Sequence, residues 1–420
     1  MRARIQQWLY KIQGSYWFVP ALMAISAILL SQATIQLDRN YNAADWMSDS
    51  WWASLNQPDG ARSLLATVAG SMITVAGVTF SLTILAVSYA TSHFGPRLIT
   101  NFMRDRGNQI TLGTFVATFL YCLLVLRTVR SAGSSDDTIL QTDVFVPHVS
   151  ILIAIALTLS SVGVLIYFIH HIPESIHIST VLHRISQDLD DKIDAIFPAE
   201  PGKLIDEQAS QLLAIVQDAP NVLSKRSGYL QGVDPAELVD FACENQAVVE
   251  LLVQPGDHLL VGQPIARVKF DVSDLLDADV CTSRISSAFA MGIERTPTQD
   301  MRFLINQFVE IAARALSPGV NDPFTAIQCI DQLGDGISRL SHRELPSRFR
   351  EDSEGVLRLI RPELTWDVIC EHAFGRLVHY VKPDPNVKAH MQETIRIVCG
   401  ISNNLEINRC LCDISNRLND

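Results

Sequence analysis

The stretch Arg314–Leu333, RALSPGVNDPFTAIQCIDQL, sets Ser317, Pro318, Gly319, Asn321, Asp322, Pro323 and Thr325 between two runs of helical periodicity. Ser317, Asn321, Asp322 and Thr325 would bring hydroxyl, amide and carboxylate groups to a helix N-terminus, a place suited to a small anion or a bound headgroup. Each unusual residue also has a local job. Ser317-Pro318-Gly319 ends the first helix, with Gly319 able to turn left-handed. Asp322 then sits at the N-cap of the next helix and Pro323 at its first position. A helix–corner–helix therefore accounts for the motif, and an anion site is the alternative. Arg295, Asp300, Arg302 and Arg314 lie just upstream and could supply a charged cluster.

Other chemistries find less support. The sequence has no Ser/His/Asp order with an elbow, no Walker loop, no nucleotide glycine fingerprint and no zinc spacing, so neither an enzyme nor a cofactor is expected. His170, Glu174 and His177 stand at i, i+4 and i+7, as metal ligands might on one helical face, but Pro173 interrupts that helix. Ordinary interface histidines are the simpler reading, with metal binding and a protonation switch as alternatives. Of eight cysteines, Cys410-Leu-Cys412 is the one close pair, and without a second pair the thiols read as inert and reduced.

A different pattern occupies the run LLATVAGSMITVAGVTFSLTILAVSYATSH. Alternating steps of three and four pick out Thr67, Ser71, Thr74, Val78, Ser81, Leu85, Ser88 and Ser92, with Gly70 and Gly77 beside them. In a membrane such a face either packs closely on another helix or lines a watery path. Thr111, Thr114 and Thr118 repeat the theme more weakly. Arg97, Arg104 and Arg106 follow the hydroxyl stripe. Around an axis they would ring an inner mouth and favour anions; the simpler alternative is contact with anionic lipid.

The elements that would position these groups divide the chain in two. Of 33 Lys/Arg and 45 Asp/Glu, 10 and 8 fall before His171, leaving 23 and 37 in an acidic remainder that is a poor candidate for nucleic acid. Four runs are long and apolar enough to cross a bilayer: Trp17–Leu37, Leu64–Ser92, Thr111–Val129 and Pro147–His170. MRARIQQWLYK before the first run, and Ser31-Gln32-Ala33 within it, also fit a signal peptide. The run's length and the three similar runs after it favour an uncleaved anchor. No span carries Asp, Glu, Lys or Arg in its middle, which argues against a proton relay or an ion-coupled carrier. Arg2, Arg4, Lys11 and the arginines of the second loop predict that both termini are cytoplasmic. Trp46, Trp51 and Trp52 fit a short helix in the outer headgroup layer.

Beyond the spans, Ile178–Leu189 is amphipathic. Next come a short strand, a helix capped by Asp234-Pro235, a strand over Ala247–Gln254, a Pro255-Gly256-Asp257 turn, a Gly262-Gln263-Pro264 corner and the strand IARVKF. From Ser227 to Phe270 this resembles the biotinyl/lipoyl-like barrel-sandwich hybrid fold. Lys225 and Lys269 do not sit at a hairpin tip, so the resemblance implies assembly rather than cofactor carriage. Met301, Leu304, Ile305, Phe308, Ile311, Ala312 and Ala315 predict a buried helical stripe. Ser341–Gly355 reads as a solvated loop, and Arg361–Asp420 as two helices, around Trp366–Tyr380 and from Asn386 to Leu418, with His372, His379 and His390 as surface or packing histidines.

ERTPTQDMRFLINQFVEIAARALSPGVNDPFTAIQCIDQL, together with FSLTILAVSYATSHFGPRL, resembles a large bacterial family of predicted membrane proteins, domain of unknown function twenty-two fifty-four. That resemblance implies a four-span unit with a cytoplasmic domain and brings no catalytic residues. The expectation is an α-helical membrane protein with four transmembrane helices (1–170), linker helices (171–226) and a cytoplasmic α+β domain. The domain would comprise a barrel-sandwich-like β unit (227–270) and a helical part with the SPGVNDP corner (271–420). It would sit in a bacterial inner membrane as a homo-oligomer and conduct a small ion or solute. The alternative is a membrane-anchored regulatory or scaffold protein.

Overall fold

The computed structural model describes residues 15–40, 57–95, 102–103, 105–130, 145–198, 216, 218–270 and 278–420. The chain divides into two compact units, one built mainly from the four apolar helices and one from Ile178 onward.

The first unit contains α1 (Phe18–Asn40), α2 (Pro58–Phe94), α3 (Arg106–Leu126) and α4 (His148–Ser175), each long and apolar enough to span a membrane. Their shared core is built from small and aliphatic side chains, among them Ala27, Leu65, Ala69, Cys122 and Ala154, closed around the fully buried Tyr121. A Cβ added at Gly113 of α3 would come within 3.3 Å of the Pro20 backbone and collide with the Met23 side chain, so glycine there lets α1 and α3 approach closely. Several polar groups inside the bundle are paired across helices. Tyr121 Oη lies 3.0 Å from Thr34 Oγ1 and donates to Ser150 O at 3.1 Å, and Thr118 Oγ1 meets Ser161 Oγ at 3.0 Å. Pro173, expected to interrupt its helix, lies inside α4, which continues to Ser175. A proline removes one backbone donor, and near a helix end neighbouring bonds can absorb that loss.

The second unit begins with α5 (Ile178–Ile196) and continues as two sheets. A five-stranded sheet runs in the order β1 (Asn221–Leu223), β5 (Pro264–Phe270), β3 (Ala247–Leu251), β8 (Leu357–Ile360) and β7 (Phe349–Glu351), with only β3 and β8 parallel. A three-stranded sheet has β4 (His258–Leu259), β2 (Gly228–Val233) and β6 (Phe289–Gly292). With α6 (Pro235–Glu244) and α7 (Ala278–Ser287) they enclose Leu230, Phe241, Val249, Leu259 and Phe289. The sheets do not close into a barrel, and the larger one draws strands from well beyond 227–270. Residues 341–355, expected to be solvated loop, contribute β7, because Phe349 and Arg350 pair with Ile360 and Leu359.

A helical layer completes this unit: α8 (Met301–Ala315), α9 (Pro323–Leu340), α10 (Trp366–Ala373), the short α11 (Val378–Val381), α12 (Pro385–Ile401) and α13 (Leu405–Asn419). Every position of the stripe expected along α8, from Met301 to Ala315, is buried. The single helix expected from 386 to 418 is two. Asn404 caps α13 by accepting from the Glu406 and Ile407 N–H groups, a side-chain bond that competes with a continuous helix.

Candidate functional site

The hydroxyl stripe has a definite place in the first unit. Helix α2 turns Ala61, Leu65, Ala69, Met72, Ala76, Thr79, Thr83, Ala86 and Ala90 inward. Thr67, Ser71, Thr74, Ser81, Ser88 and Ser92 lie about half a turn away, on the exposed side. An added Cβ at Gly70 or Gly77 would meet nothing within 4 Å. Ser71, Thr74, Ser81 and Ser92 each donate to the carbonyl four residues earlier, at 2.7–2.9 Å. In α3 the pattern divides: Thr111 and Thr118 are buried, and Thr114 bonds back to Ile110 O. Of the three arginines, Arg97 and Arg104 lie outside the described residues, and Arg106 is exposed at the start of α3. Trp46, Trp51 and Trp52 also lie outside them.

Two buried carboxylates lock the ends of this bundle, and neither was singled out from the sequence. Asp38 of α1 accepts from the Val149 N–H (2.8 Å), the Ser150 N–H (3.0 Å) and the Ser150 hydroxyl (2.6 Å), capping α4 from another helix. Asp105 caps α3 through the Asn108 N–H and also sits 2.8 Å from His171 Nε2, whose ring stacks on Tyr167. One residue away lie His170, Glu174 and His177, read as interface residues with metal binding as an alternative. His170 and Glu174 are 4.0 Å apart on an exposed face, and among the described residues no group of three or more His, Cys, Asp or Glu side chains could hold a metal.

In the second unit the SPGVNDP corner closes as a local structure. The Asp322 N–H donates to Ala315 O (2.8 Å), and Asp322 accepts from the Thr325 N–H (3.2 Å) and hydroxyl (2.6 Å). The left-handed residue is Asn321, at φ +49°, and not Gly319. The chain turns back immediately before the cap, so the strained position falls two residues later than the Schellman pattern suggests. Asparagine tolerates it because its short amide can bond locally. Pro318, Gly319, Val320 and Phe324 are exposed.

The charged cluster lies elsewhere. Arg295 and Arg302 converge on Asp300, which is almost wholly buried at the start of α8, and Arg302 reaches on to Asp257 Oδ1 (3.1 Å) and Pro255 O (2.9 Å). Arg314 pairs with Glu310, at the far end of the helix. With a rise of about 1.5 Å per residue, the 15 residues of α8 hold cluster and corner roughly 22 Å apart. They are two features, not one site. The cluster is the floor of a cavity of about 310 Å³, lined also by α5, β3 and the β7–β8 hairpin. Its remaining cations, Lys192, Arg348, Arg350 and Arg361, come from segments read as plain helix or loop. Only their convergence in space distinguishes them.

The thiols fit the inert reading. Burial raises Cys399 to about 11 and Cys410 to about 12, and Cys410 donates to Asp367 at 2.7 Å.

An uncharacterized protein of Mycobacterium tuberculosis, MT1328, is 32% identical over 345 residues, 81% of this chain and 64% of the relative. Uncharacterized protein Mb1321c of Mycobacterium bovis matches to the same extent. The chain thus spans less than two thirds of the length of these curated relatives. Among solved structures, none matches. The profile of the predicted membrane proteins DUF2254 matches residues 13–396, and it is to this family that the chain belongs.

Proposed function

We propose that this membrane protein assembles as a homo-oligomer in the bacterial inner membrane and passes a small ion or solute along the outward face of α2. The second unit would lie on the cytoplasmic side and assemble or gate the path. One observation carries the reading. Six Ser and Thr side chains, interleaved with Val78 and Leu85 and flanked by Gly70 and Gly77, form a stripe on the unpacked side of the longest span, while its opposite side packs mainly alanine with Leu65, Met72, Thr79 and Thr83. Lipid chains gain little from such a face, whereas water or another helix can use it. The absence of Asp, Glu, Lys and Arg from the middle of the described spans fits conduction by hydroxyl and backbone groups rather than ion-coupled transport. The arginine-rich segments flanking the spans support cytoplasmic termini.

Reconstituted protein in a planar bilayer should pass current, and S81L with S88L should abolish it. Unchanged conduction in that double variant removes the stripe as the path. A second reading, a membrane-anchored scaffold or regulator, is favoured by Ser71, Thr74, Ser81 and Ser92 bonding their own helix, since donors satisfied in this way need no water. It predicts that cysteines placed at Gly70 and Gly77 cross-link between subunits along the whole face while no flux occurs.

A further inference from the structure

The cavity in the second unit carries more positive charge than its protein neighbours offset. Its ionisable lining is Lys192, Arg302, Arg348, Arg350 and Arg361, with Asp300 as the one carboxylate. Asp300 is engaged by Arg295 and Arg302, and Arg302 has Asp257 as well. Lys192 donates to Thr298 O at 2.9 Å, and Arg348 has Glu363 at 3.5 Å. Among the described residues no carboxylate comes within ion-pair range of Arg350 or Arg361.

The hairpin makes this imbalance a feature of the fold. Phe349 pairs with Ile360 and Arg350 with Leu359, so Arg348 stands across from Arg361, and their backbones are joined by the Arg361 N–H donating to Arg348 O at 2.7 Å. Arg350, two residues from Arg348, shares its face of the strand. Like charges directly opposite on paired strands are destabilising, and a partly buried cation without a partner adds to the cost. Burial and, after it, the charge of Arg350 hold the Arg361 guanidinium below its ordinary value. An anion shared between the two side chains would relieve both effects.

Two further observations indicate which anion. Met301 and Arg302 bring the N-terminal turn of α8 to the cavity wall, and Asp300, at the N-cap position, makes no side-chain bond to that turn. The positive end of a 15-residue helix therefore contributes in the same direction as the arginines. Phe197, Leu251, Val253 and Leu359 line the cavity with apolar surface that would take the carbon portion of a ligand. A volume near 310 Å³ is at the lower end for small-molecule sites. Guanidinium forks match phosphate oxygens in pairs. We propose that this cavity binds a phosphorylated small molecule no larger than a mononucleotide, its phosphate held between Arg350 and Arg361. The proposal stands whether or not α2 conducts.

Thermal unfolding of the full-length protein in detergent, titrated with AMP, inorganic phosphate or uncharged adenosine, tests it. AMP and phosphate should raise the melting temperature saturably and adenosine should not. R361Q and R350Q should each weaken the response to AMP about tenfold or more. R396Q, a change on the exposed face of α12, should leave it intact. Without ligand, R361Q should melt no lower than the wild type, because it removes an uncompensated charge. If R361Q fails to fold, R350Q, on an exposed side chain, carries the test alone. No saturable shift with either phosphate probe, an equal shift with adenosine, or an undiminished response in R350Q overturns the proposal.

Discussion

The carboxylate of Asp300 occupies the space that a side chain at Gly256 would need. A Cβ built on Gly256 overlaps Asp300 Oδ2, and Gly256 itself stands at φ +96°, a conformation L-residues rarely adopt. The Pro255-Gly256-Asp257 turn therefore serves two purposes. It reverses the chain between β3 and β4, and it lets the backbone close over the Arg295–Asp300–Arg302 cluster. G256A should destabilise the protein by about 2–4 kcal/mol, combining backbone strain with displacement of a buried, charge-paired carboxylate. Thermal unfolding checks this, and a loss below about 1 kcal/mol would mean that Asp300 can move aside without cost.

Protonation of His372 offers a second handle. Burial first, then the charges of Arg376, Arg302 and Arg295, push it down to about 4, and its ring lies 3.3 Å from both Asn306 Oδ1 and Arg376 Nη2. The unfolded chain takes up this proton near pH 6.5, whereas the folded protein resists until about pH 4. Stability from this group is thus intact above pH 6.5 and is lost progressively as the pH falls through that window. The melting temperature of H372N should fall less between pH 7 and pH 4.5 than that of the wild type. Parallel curves would show that the histidine does not contribute.

The SPGVNDP corner separates cap chemistry from backbone strain. D322A removes the acceptor for the Thr325 N–H and hydroxyl and should cost about 1–2 kcal/mol. N321G should be neutral or stabilise by up to about 1 kcal/mol, because glycine takes φ +49° without a Cβ penalty. N321V should destabilise. If N321G behaves like N321V in equilibrium unfolding, the asparagine amide, not its backbone, holds the corner.

How legible these features were follows from their range. The spans, the stripe along α8 and the Asp322 and Asp234 caps depend on neighbours within one or two turns, and their spacing is written in the chain. The stripe on α2 was legible as periodicity, and its outward orientation needed the packing of Ala61 to Ala90 against the other helices. Gly319 is the left-handed residue that the sequence suggests, glycine being the commonest there, and that preference is outweighed by the Asp322 N–H bond to Ala315 O, which sets Asn321 at φ +49°. The cationic cavity was illegible. Lys192 and Arg361 are 169 positions apart, and no local pattern relates them.

Asp38 illustrates the same difference between local and long-range structure. It directly follows the apolar run Trp17–Leu37 and no local pattern marks it as a cap, yet it accepts three hydrogen bonds at the start of α4, about 110 residues later. Its carboxylate is buried, so it replaces water for the Val149 and Ser150 N–H groups and balances the positive end of that helix. D38A would leave those donors without acceptors where water is scarce, at a cost of about 2–3 kcal/mol. D38N keeps one acceptor oxygen and should retain part of the stability, because the amide can bond one N–H while losing the charge. Thermal unfolding in detergent should therefore rank wild type above D38N and D38N above D38A. If the two variants are indistinguishable from wild type, α4 is held in place by its apolar contacts alone and the cap is incidental.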